Sequence, residues 1–159
     1  MLQTDQHVLP GDKKEHIPNL YEHFIAKNFI TYMKMALGDR SRRSFLEIMN
    51  RPNRYIGRDA VERGEVSFEN LRKYYEEKDW MLDRIDQLEV DLRIISRMAP
   101  YGAIQYIRKH IGYDEFLVEY AYKRKIKMGE VIKAFTFNFN AFHLLISHRQ
   151  DACINFRLR

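Results

Sequence analysis

Apolar residues recur along this chain with the period of an α-helix. The most regular stretch spaces them three or four positions apart, at Leu82, Ile85, Leu88, Leu92, Ile95 and Met98. This spacing predicts one long amphipathic helix with acids and arginines on its opposite face. Because such a helix offers a continuous apolar side to its neighbours, we expect it to form the spine of the domain.

Capping signals divide the rest of the chain into shorter helices. We predict helices over residues 18–37, 41–49, 59–63, 68–78, 100–111 and from Asp114 onwards. Ser67 and Asp114 are placed as N-caps, and Gly38 and Gly112 follow the apolar runs that they are expected to end. No convincing strand alternation precedes residue 134. We therefore predict an all-α fold, a single compact domain of about seven to eight helices with helix-hairpin-helix-like turns.

The chain divides into three parts. Residues 1–17 lack periodicity and are predicted to be a loose lead-in, and residues 18–130 carry the helical pattern. Residues 131–159 form a tail rich in Phe, with an uncharged run. In this tail, three Phe residues alternate with polar residues as in a strand, whereas the apolar residues after Asn140 have helical spacing. Both structures remain open, and we predict the helix.

Composition narrows the class of protein. The 159 residues carry a formal net charge of +5, and this basic balance favours nucleic acid or another acidic partner. The single Cys153 excludes an internal disulfide framework, and no Cys/His cluster has the spacing of a zinc site. The chain also lacks an apolar signal segment and the run of ~20 apolar residues that a membrane span needs. We expect a cytoplasmic monomer without a membrane or metal site.

One short span is as positively charged as the whole protein. Between Arg40 and Arg58 there are six arginines and one acid, Glu47. Arg51, Arg54 and Arg58 surround a turn before a predicted helix, where unpaired N–H groups and the helix dipole favour an anion. We interpret these three as candidate phosphate contacts; the alternative is a solvated basic surface, or pairing with nearby acids. The weaker candidates in the preceding loop are Arg40, Arg42 and Arg43.

Two sequence runs resemble those of a known family. The run FITYMKMA, which begins at Phe29, is followed by FLEIMNRPNRYIG from Phe45 to Gly57. Farther on, AIQYIRKHIGYDEFL from Ala103 to Leu117 has the pattern of a helix, a Gly-Tyr turn and another helix. In this order, and over roughly residues 17–130, these runs resemble the accessory helical subdomain called 2B of UvrD/Rep/PcrA-type superfamily 1 DNA helicases.

The resemblance implies a role in binding duplex DNA, in enzymes of DNA repair. The family's Gly-Ile-Gly hairpin, which contacts the duplex backbone ahead of the fork, matches Tyr55-Ile56-Gly57 here. Tyr55 replaces the first glycine, and a Tyr does not easily adopt a positive φ. A second site is expected before the Gly-Tyr turn, where the alternative is a set of exposed charges in a last helical turn. The candidate DNA-binding residues are Arg51, Arg54, Tyr55, Ile56, Gly57, Arg58, Arg108, Lys109 and Gly112.

The resemblance also limits what this chain is expected to do. ATP and Mg²⁺ belong to the motor of the parent family, which needs a GxxxxGK[ST] loop and acidic magnesium ligands. None of the seven glycines lies in such a loop. We therefore expect no cofactor, catalytic residue, ATPase or helicase activity in this chain, and DNA and the helicase motor domains as partners.

A second hypothesis comes from another class of function. The Phe-rich tail would serve a protein-interaction module that docks onto a helicase motor domain or another partner. Trp80 is expected to anchor the packing of two helices rather than to stack on bases. The seven acids between Glu76 and Asp91 are expected to form a solvated helix face rather than a metal site. The histidines have no matched partners for catalysis, and we expect structural roles for them.

Overall fold

A computed structural model describes residues 24–61, 63–125, 127 and 129. They form one compact all-helical domain, which confirms the predicted fold class. Its six α-helices and one 3₁₀ turn are α1 (Phe24–Ala36), α2 (Arg42–Ile48), the 3₁₀ turn (Arg58–Ala60), α3 (Phe68–Tyr74), α4 (Asp79–Ile95), α5 (Pro100–Lys109) and α6 (Tyr113–Arg124). Among the described residues there is no β-strand, and one isolated antiparallel bridge joins Ser41 and Glu65.

Helix α4 is the predicted spine of the domain. It packs against α1, α3 and α5, and its apolar face is continuous with a hydrophobic core to which all six helices contribute. The helix begins at Asp79 and ends at Ile95, so Met98 lies outside it and is 39% exposed. The buried residues of α4 are Met81, Ile85, Leu88, Asp91, Leu92 and Ile95.

Most of the predicted helix ends are confirmed. The Ser67 hydroxyl accepts a hydrogen bond from the Asn70 N–H at 3.3 Å and so caps α3. Gly38 follows α1 with a φ of 107°, and Gly112 joins α5 to α6 with a φ of 85°. These two positions need the left-handed backbone that glycine adopts without a steric cost.

Three predicted elements differ from the structure. The helix expected over residues 59–63 is only a 3₁₀ turn, and α3 ends at Tyr74 rather than at residue 78. Asp114 does not cap α6, because it lies in the first helical turn and Gly112 occupies the cap position. Residues 18–23 of the first predicted helix, the lead-in and the tail after residue 130 lie outside the described residues. Within the described residues the helix count is six, below the seven to eight predicted for the chain.

A buried polar cluster joins the turn after α2 to α1 and α6, the first and last of the six helices. The hydroxyl of Tyr113, on α6, donates to Asn28 Oδ1 on α1 at 2.8 Å. The same oxygen accepts a hydrogen bond from Arg51 at 3.1 Å, and the Asn28 amide donates to Glu47 on α2. Burial raises the pKa of Tyr113, so its hydroxyl remains a donor at neutral pH. This cluster sets the position of the basic turn that the sequence singled out.

Candidate nucleic-acid interface

The turn after α2 is organised around the side chain of Asn50. Its Oδ1 accepts hydrogen bonds from the backbone N–H groups of Arg54 at 3.2 Å and Ile56 at 3.0 Å. Its Nδ2 donates to the Ile56 carbonyl at 2.9 Å. Ile56 itself is only 2% exposed and belongs to the core. The turn is therefore held from the inside, and Ile56, a predicted DNA-binding residue, does not offer its side chain to a ligand.

Arg54 points into the protein rather than toward solvent. The residue is 6% exposed, and its guanidinium donates to the carbonyls of Ile48 and Met49 at 3.2 and 3.3 Å. It also donates to the Tyr32 hydroxyl at 3.0 Å. The last carbonyls of a helix carry partial negative charge and lack partners within the helix. Arg54 therefore closes the C-terminal end of α2, and the predicted direct phosphate contact by this side chain is corrected.

Of the neighbouring predicted residues, Arg51 and Gly57 already form hydrogen bonds within the protein, whereas Arg58 is exposed. Arg51 is half-buried in the cluster around Asn28. Gly57 has an ordinary φ of −73°, and its N–H already donates to the Tyr75 hydroxyl at 2.8 Å. The 3₁₀ turn that follows has three residues, which is too short to supply the helix-terminus anion site expected from the sequence. Arg58 is exposed and forms no ion pair or side-chain hydrogen bond with the described residues.

Tyr55 adopts the conformation that the sequence made doubtful. Its φ is 61°, in the left-handed region, where a non-glycine residue is destabilised by about 1–2 kcal/mol. The Asn53 side chain accepts a hydrogen bond from the Tyr55 N–H at 3.0 Å and holds this conformation. Tyr55 therefore adopts the positive φ that the sequence led us to expect only with difficulty for a Tyr. The Tyr55 side chain is 61% exposed.

The second predicted site has its cations already paired. Arg108 donates to both carboxylate oxygens of Asp114 at 3.1 Å, and Lys109 donates to one of them at 2.9 Å. Burial of Asp114 acts to raise its pKa, but the hydrogen bonds from the two cations outweigh this effect and lower the pKa. Gly112 supplies the turn that brings the two helices together. The ion pairs of Arg108 and Lys109 with Asp114 link α5 to α6, and the three residues together carry one net positive charge.

Two other expectations about side chains are corrected. Trp80 does not anchor a helix pair, because it is 52% exposed and lies beside Tyr55. Asp91 does not belong to a solvated face. It is 3% exposed and accepts hydrogen bonds from Gln87 and from the Tyr106 hydroxyl, each at 2.9 Å. Burial of Tyr106 is the larger cause that raises its pKa to about 12, and its hydrogen bond to Asp91 adds to this effect.

An electropositive groove lies between α1 and α2, and we call it the α1–α2 groove. Its volume is about 530 Å³, and its lining residues are Lys27, Ile30, Thr31, Lys34, Arg43, Ser44 and Glu47. Lys27, Lys34 and Arg43 are exposed, and none of them forms an ion pair within the described part of the chain. Among the described residues Glu47 is the only acid in the lining, so these residues give the groove a net charge of +2.

Most of this groove was not predicted from the sequence. Arg43 was only a weaker candidate, and Lys27 and Lys34 were not among the candidate residues. The sequence did contain a signal for the two lysines. Lys27 and Lys34 are seven residues apart on α1, so they lie on the same face of the helix, two turns from each other. Only the packing of α2 against α1 brings Arg43 opposite the two lysines.

Neither metal nor membrane chemistry is indicated by the described residues. Within them, no three His, Cys, Asp or Glu side chains are grouped so that they could hold a metal ion. No helix in the same part of the chain is long and apolar enough to cross a membrane. Comparison with protein-family models, with curated proteins and with solved structures found no match.

Proposed function

We propose that this chain binds duplex DNA without sequence specificity, and that the α1–α2 groove is its main phosphate-binding surface. The observation that carries the proposal is the convergence of Lys27, Lys34 and Arg43 on one open groove. Cations that bind phosphates release the counterions condensed on DNA, which is the main source of non-specific affinity. Thr31 places a hydroxyl group in the same groove, and hydroxyl groups commonly bond to phosphate oxygens. The Ser44 hydroxyl, also in the lining, already donates its proton to Asp39.

The groove favours phosphate contacts over the reading of bases. Its three cations come from two helices, with Lys27 and Lys34 on α1 and Arg43 on α2. Phosphate contacts position a protein on DNA but carry no sequence information. Arg58, exposed in the turn after α2, is a further cation that could contact DNA. The proposed binding is therefore electrostatic and strongly dependent on salt concentration.

The resemblance to the 2B subdomain supplies the wider setting of the proposal. In this setting the chain is an accessory or regulatory module of a UvrD/Rep-type helicase, and it grips duplex DNA near the motor. ATP and Mg²⁺ would be used by the motor domains, and this chain would contribute no catalytic residue. The proposal differs from the family pattern in one respect. It assigns the main DNA contact to the groove, because Arg54 and Ile56 are buried.

Fluorescence anisotropy with a labelled duplex of about 20 base pairs tests the proposal across a salt series. Removing two phosphate contacts should reduce the magnitude of the slope of log K against log salt by about 2. We expect the double variant Lys34→Ala/Arg43→Ala to show this change and to lose about tenfold or more in affinity at low salt. The control Lys73→Ala/Arg97→Ala removes the same charge from exposed positions on other elements, and it should retain the affinity.

Two outcomes would overturn the proposal. One is the absence of duplex binding at about 50 mM salt, where phosphate contacts are strong. The other is an equal loss of affinity in the groove variant and in its control, because net charge alone would then explain the binding. Arg58→Ala is expected to have a smaller effect than the groove variant.

A further inference from the structure

Two exposed aromatic side chains meet where the turn after α2 touches the start of α4. The Tyr55 and Trp80 ring centroids are 6.2 Å apart, with the ring planes at 74° to each other. The guanidinium of Arg84, one helical turn after Trp80, lies 5.1 Å from the Tyr55 ring centre and 5.4 Å from that of Trp80. We call Tyr55, Trp80 and Arg84 the aromatic patch.

The aromatic patch is held in place by hydrogen bonds of the turn itself. Tyr55 is kept in its left-handed conformation by the Asn53 side chain, and Arg84 donates to the Asn53 carbonyl at 3.3 Å. Backbone strain in a bulky residue is retained only where the surroundings enforce it, and it is concentrated at functional sites. A ring that is presented in a fixed position loses little conformational freedom when a ligand binds.

The charges around the patch are the opposite of those in the α1–α2 groove. The exposed charged residues just before and within the first turns of α4 are Glu76, Glu77, Lys78, Asp79 and Asp83. Together with Arg84 they give a net charge of −2. A surface of this charge repels phosphates. The aromatic patch is therefore unsuited to the DNA backbone and suited to a basic partner.

The chemistry of the patch selects among basic partners. A lone cation seeking an aromatic face would compete with Arg84, which already lies beside both rings. Proline rings, in contrast, pack against perpendicular aromatic rings, and an extended proline-rich chain has unpaired carbonyl groups that seek donors. The indole N–H of Trp80 and the Tyr55 hydroxyl have no hydrogen-bond partner among the described residues. Both groups are thus available as donors to such carbonyls.

We propose that the aromatic patch is a docking site for an extended, proline-rich peptide segment with flanking arginines or lysines, supplied by a partner protein. The prolines lie against Tyr55 and Trp80, and the flanking cations face Asp79 and Asp83. This site is separate from the α1–α2 groove and does not depend on the proposed DNA binding. Its partner is recognised by main-chain carbonyls, proline rings and positive charge.

Trp80 provides a direct reporter, because it is the only Trp of the chain. The probe is a synthetic peptide of about eight prolines with two arginines at each end, titrated into the full chain while Trp fluorescence is followed. We expect a saturable change in intensity or emission maximum. The same peptide with aspartates at its ends should bind at least about tenfold more weakly, and added salt should weaken the arginine peptide.

Substitutions localise the signal. Tyr55→Gly keeps the turn, since glycine adopts a φ of 61° without strain, and it should weaken peptide binding about tenfold or more. Tyr122→Ala removes a Tyr that is 86% exposed on α6 and should leave binding unchanged. The groove variant Lys34→Ala/Arg43→Ala should also leave it unchanged, which distinguishes this site from the DNA surface.

Three results would overturn the proposal. The first is no saturable change of Trp80 fluorescence with the arginine peptide. The second is equal binding by the Tyr55→Gly variant when circular dichroism shows the native helix content. The third is a saturable change produced by an oligothymidylate of about 12 nucleotides and not by the peptide, which would assign the patch to base stacking instead.

Discussion

The buried position of Arg54 makes a prediction that separates a structural role from a DNA contact. Arg54→Met keeps most of the apolar stem of the side chain and removes the guanidinium. Three hydrogen bonds, to Ile48, Met49 and Tyr32, are lost. The fourth, to the Pro52 carbonyl at 3.4 Å, is the longest and contributes least.

The expected loss of stability follows from these contacts. A hydrogen bond of a folded protein contributes about 1 kcal/mol net, so three bonds contribute about 3 kcal/mol. The interaction of the cation with the C-terminal end of α2 adds about 0.3–1 kcal/mol. We therefore expect Arg54→Met to lower the free energy of unfolding by about 3–4 kcal/mol. In a domain of this size, this corresponds to a fall in Tm of about 10 °C.

Urea unfolding followed by far-UV circular dichroism measures the effect, with Arg58→Met as the matched control. Arg58 is exposed, so its substitution should change the free energy of unfolding by less than about 0.5 kcal/mol. Duplex affinity is measured on both variants at a temperature where each is folded. We expect Arg54→Met to bind DNA as tightly as the parent chain. A variant that keeps its stability and loses DNA affinity would refute the structural role and restore the phosphate contact suggested by the sequence.

Three further predictions concern the turns at Gly112 and Tyr55 and the ion pairs of Asp114. Gly112→Ala should cost about 1 kcal/mol because its φ is 85°, whereas Gly102→Ala, inside α5, should stabilise by about 0.5–1 kcal/mol; similar urea midpoints for the two variants would contradict this. Tyr55→Val should be less stable than Tyr55→Asn by about 1 kcal/mol in the same assay, since Asn tolerates the left-handed region and a β-branched residue does not; equal stability would remove the argument from backbone strain. The lowered pKa of Asp114 means that its contribution to stability is present above its ordinary pKa of 3.8 and is lost as the pH falls through the folded-state pKa. In thermal melts between about pH 7 and pH 2.5, the Tm of Asp114→Asn should therefore fall less with acid than that of the parent chain. An equal fall in Tm for both would count against a stabilising role of the Asp114 ion pairs.

Local signals were sufficient for most of the helical framework. The spacing of apolar residues identified α4, and Ser67, Gly38 and Gly112 marked helix ends that the structure confirms. These features depend on residues within one or two turns of each other, so the sequence contains the needed information. The prediction failed at residues 59–63 because the extent of so short a segment is not a local property. A helix of a few residues gains too little from its own hydrogen bonds to persist, and its extent depends on packing.

The candidate site was predicted less well because charge alone does not show on which side of a turn an arginine lies. Arg54 and Arg58 are four residues apart in the same basic span, yet one is buried and the other is exposed. The difference arises because the Tyr32 hydroxyl on α1 and the carbonyls at the end of α2 together accept hydrogen bonds from Arg54. Arg108 was similarly assigned to DNA, and Asp114 of the following helix accepts its hydrogen bonds instead.

The sequence by itself determined that the described part of the chain is helical, where most of its helices begin and end, and that positive charge is concentrated between Arg40 and Arg58. Tertiary structure decided which of these charges face a partner. A hydrogen bond between Asn28 and Tyr113 joins residues 85 positions apart, and contacts of this kind turn Arg51 and Arg54 inward while α1 supplies lysines to the groove. Burial of a charge depends on which acceptors meet it in space, and the local pattern of a sequence does not contain that information.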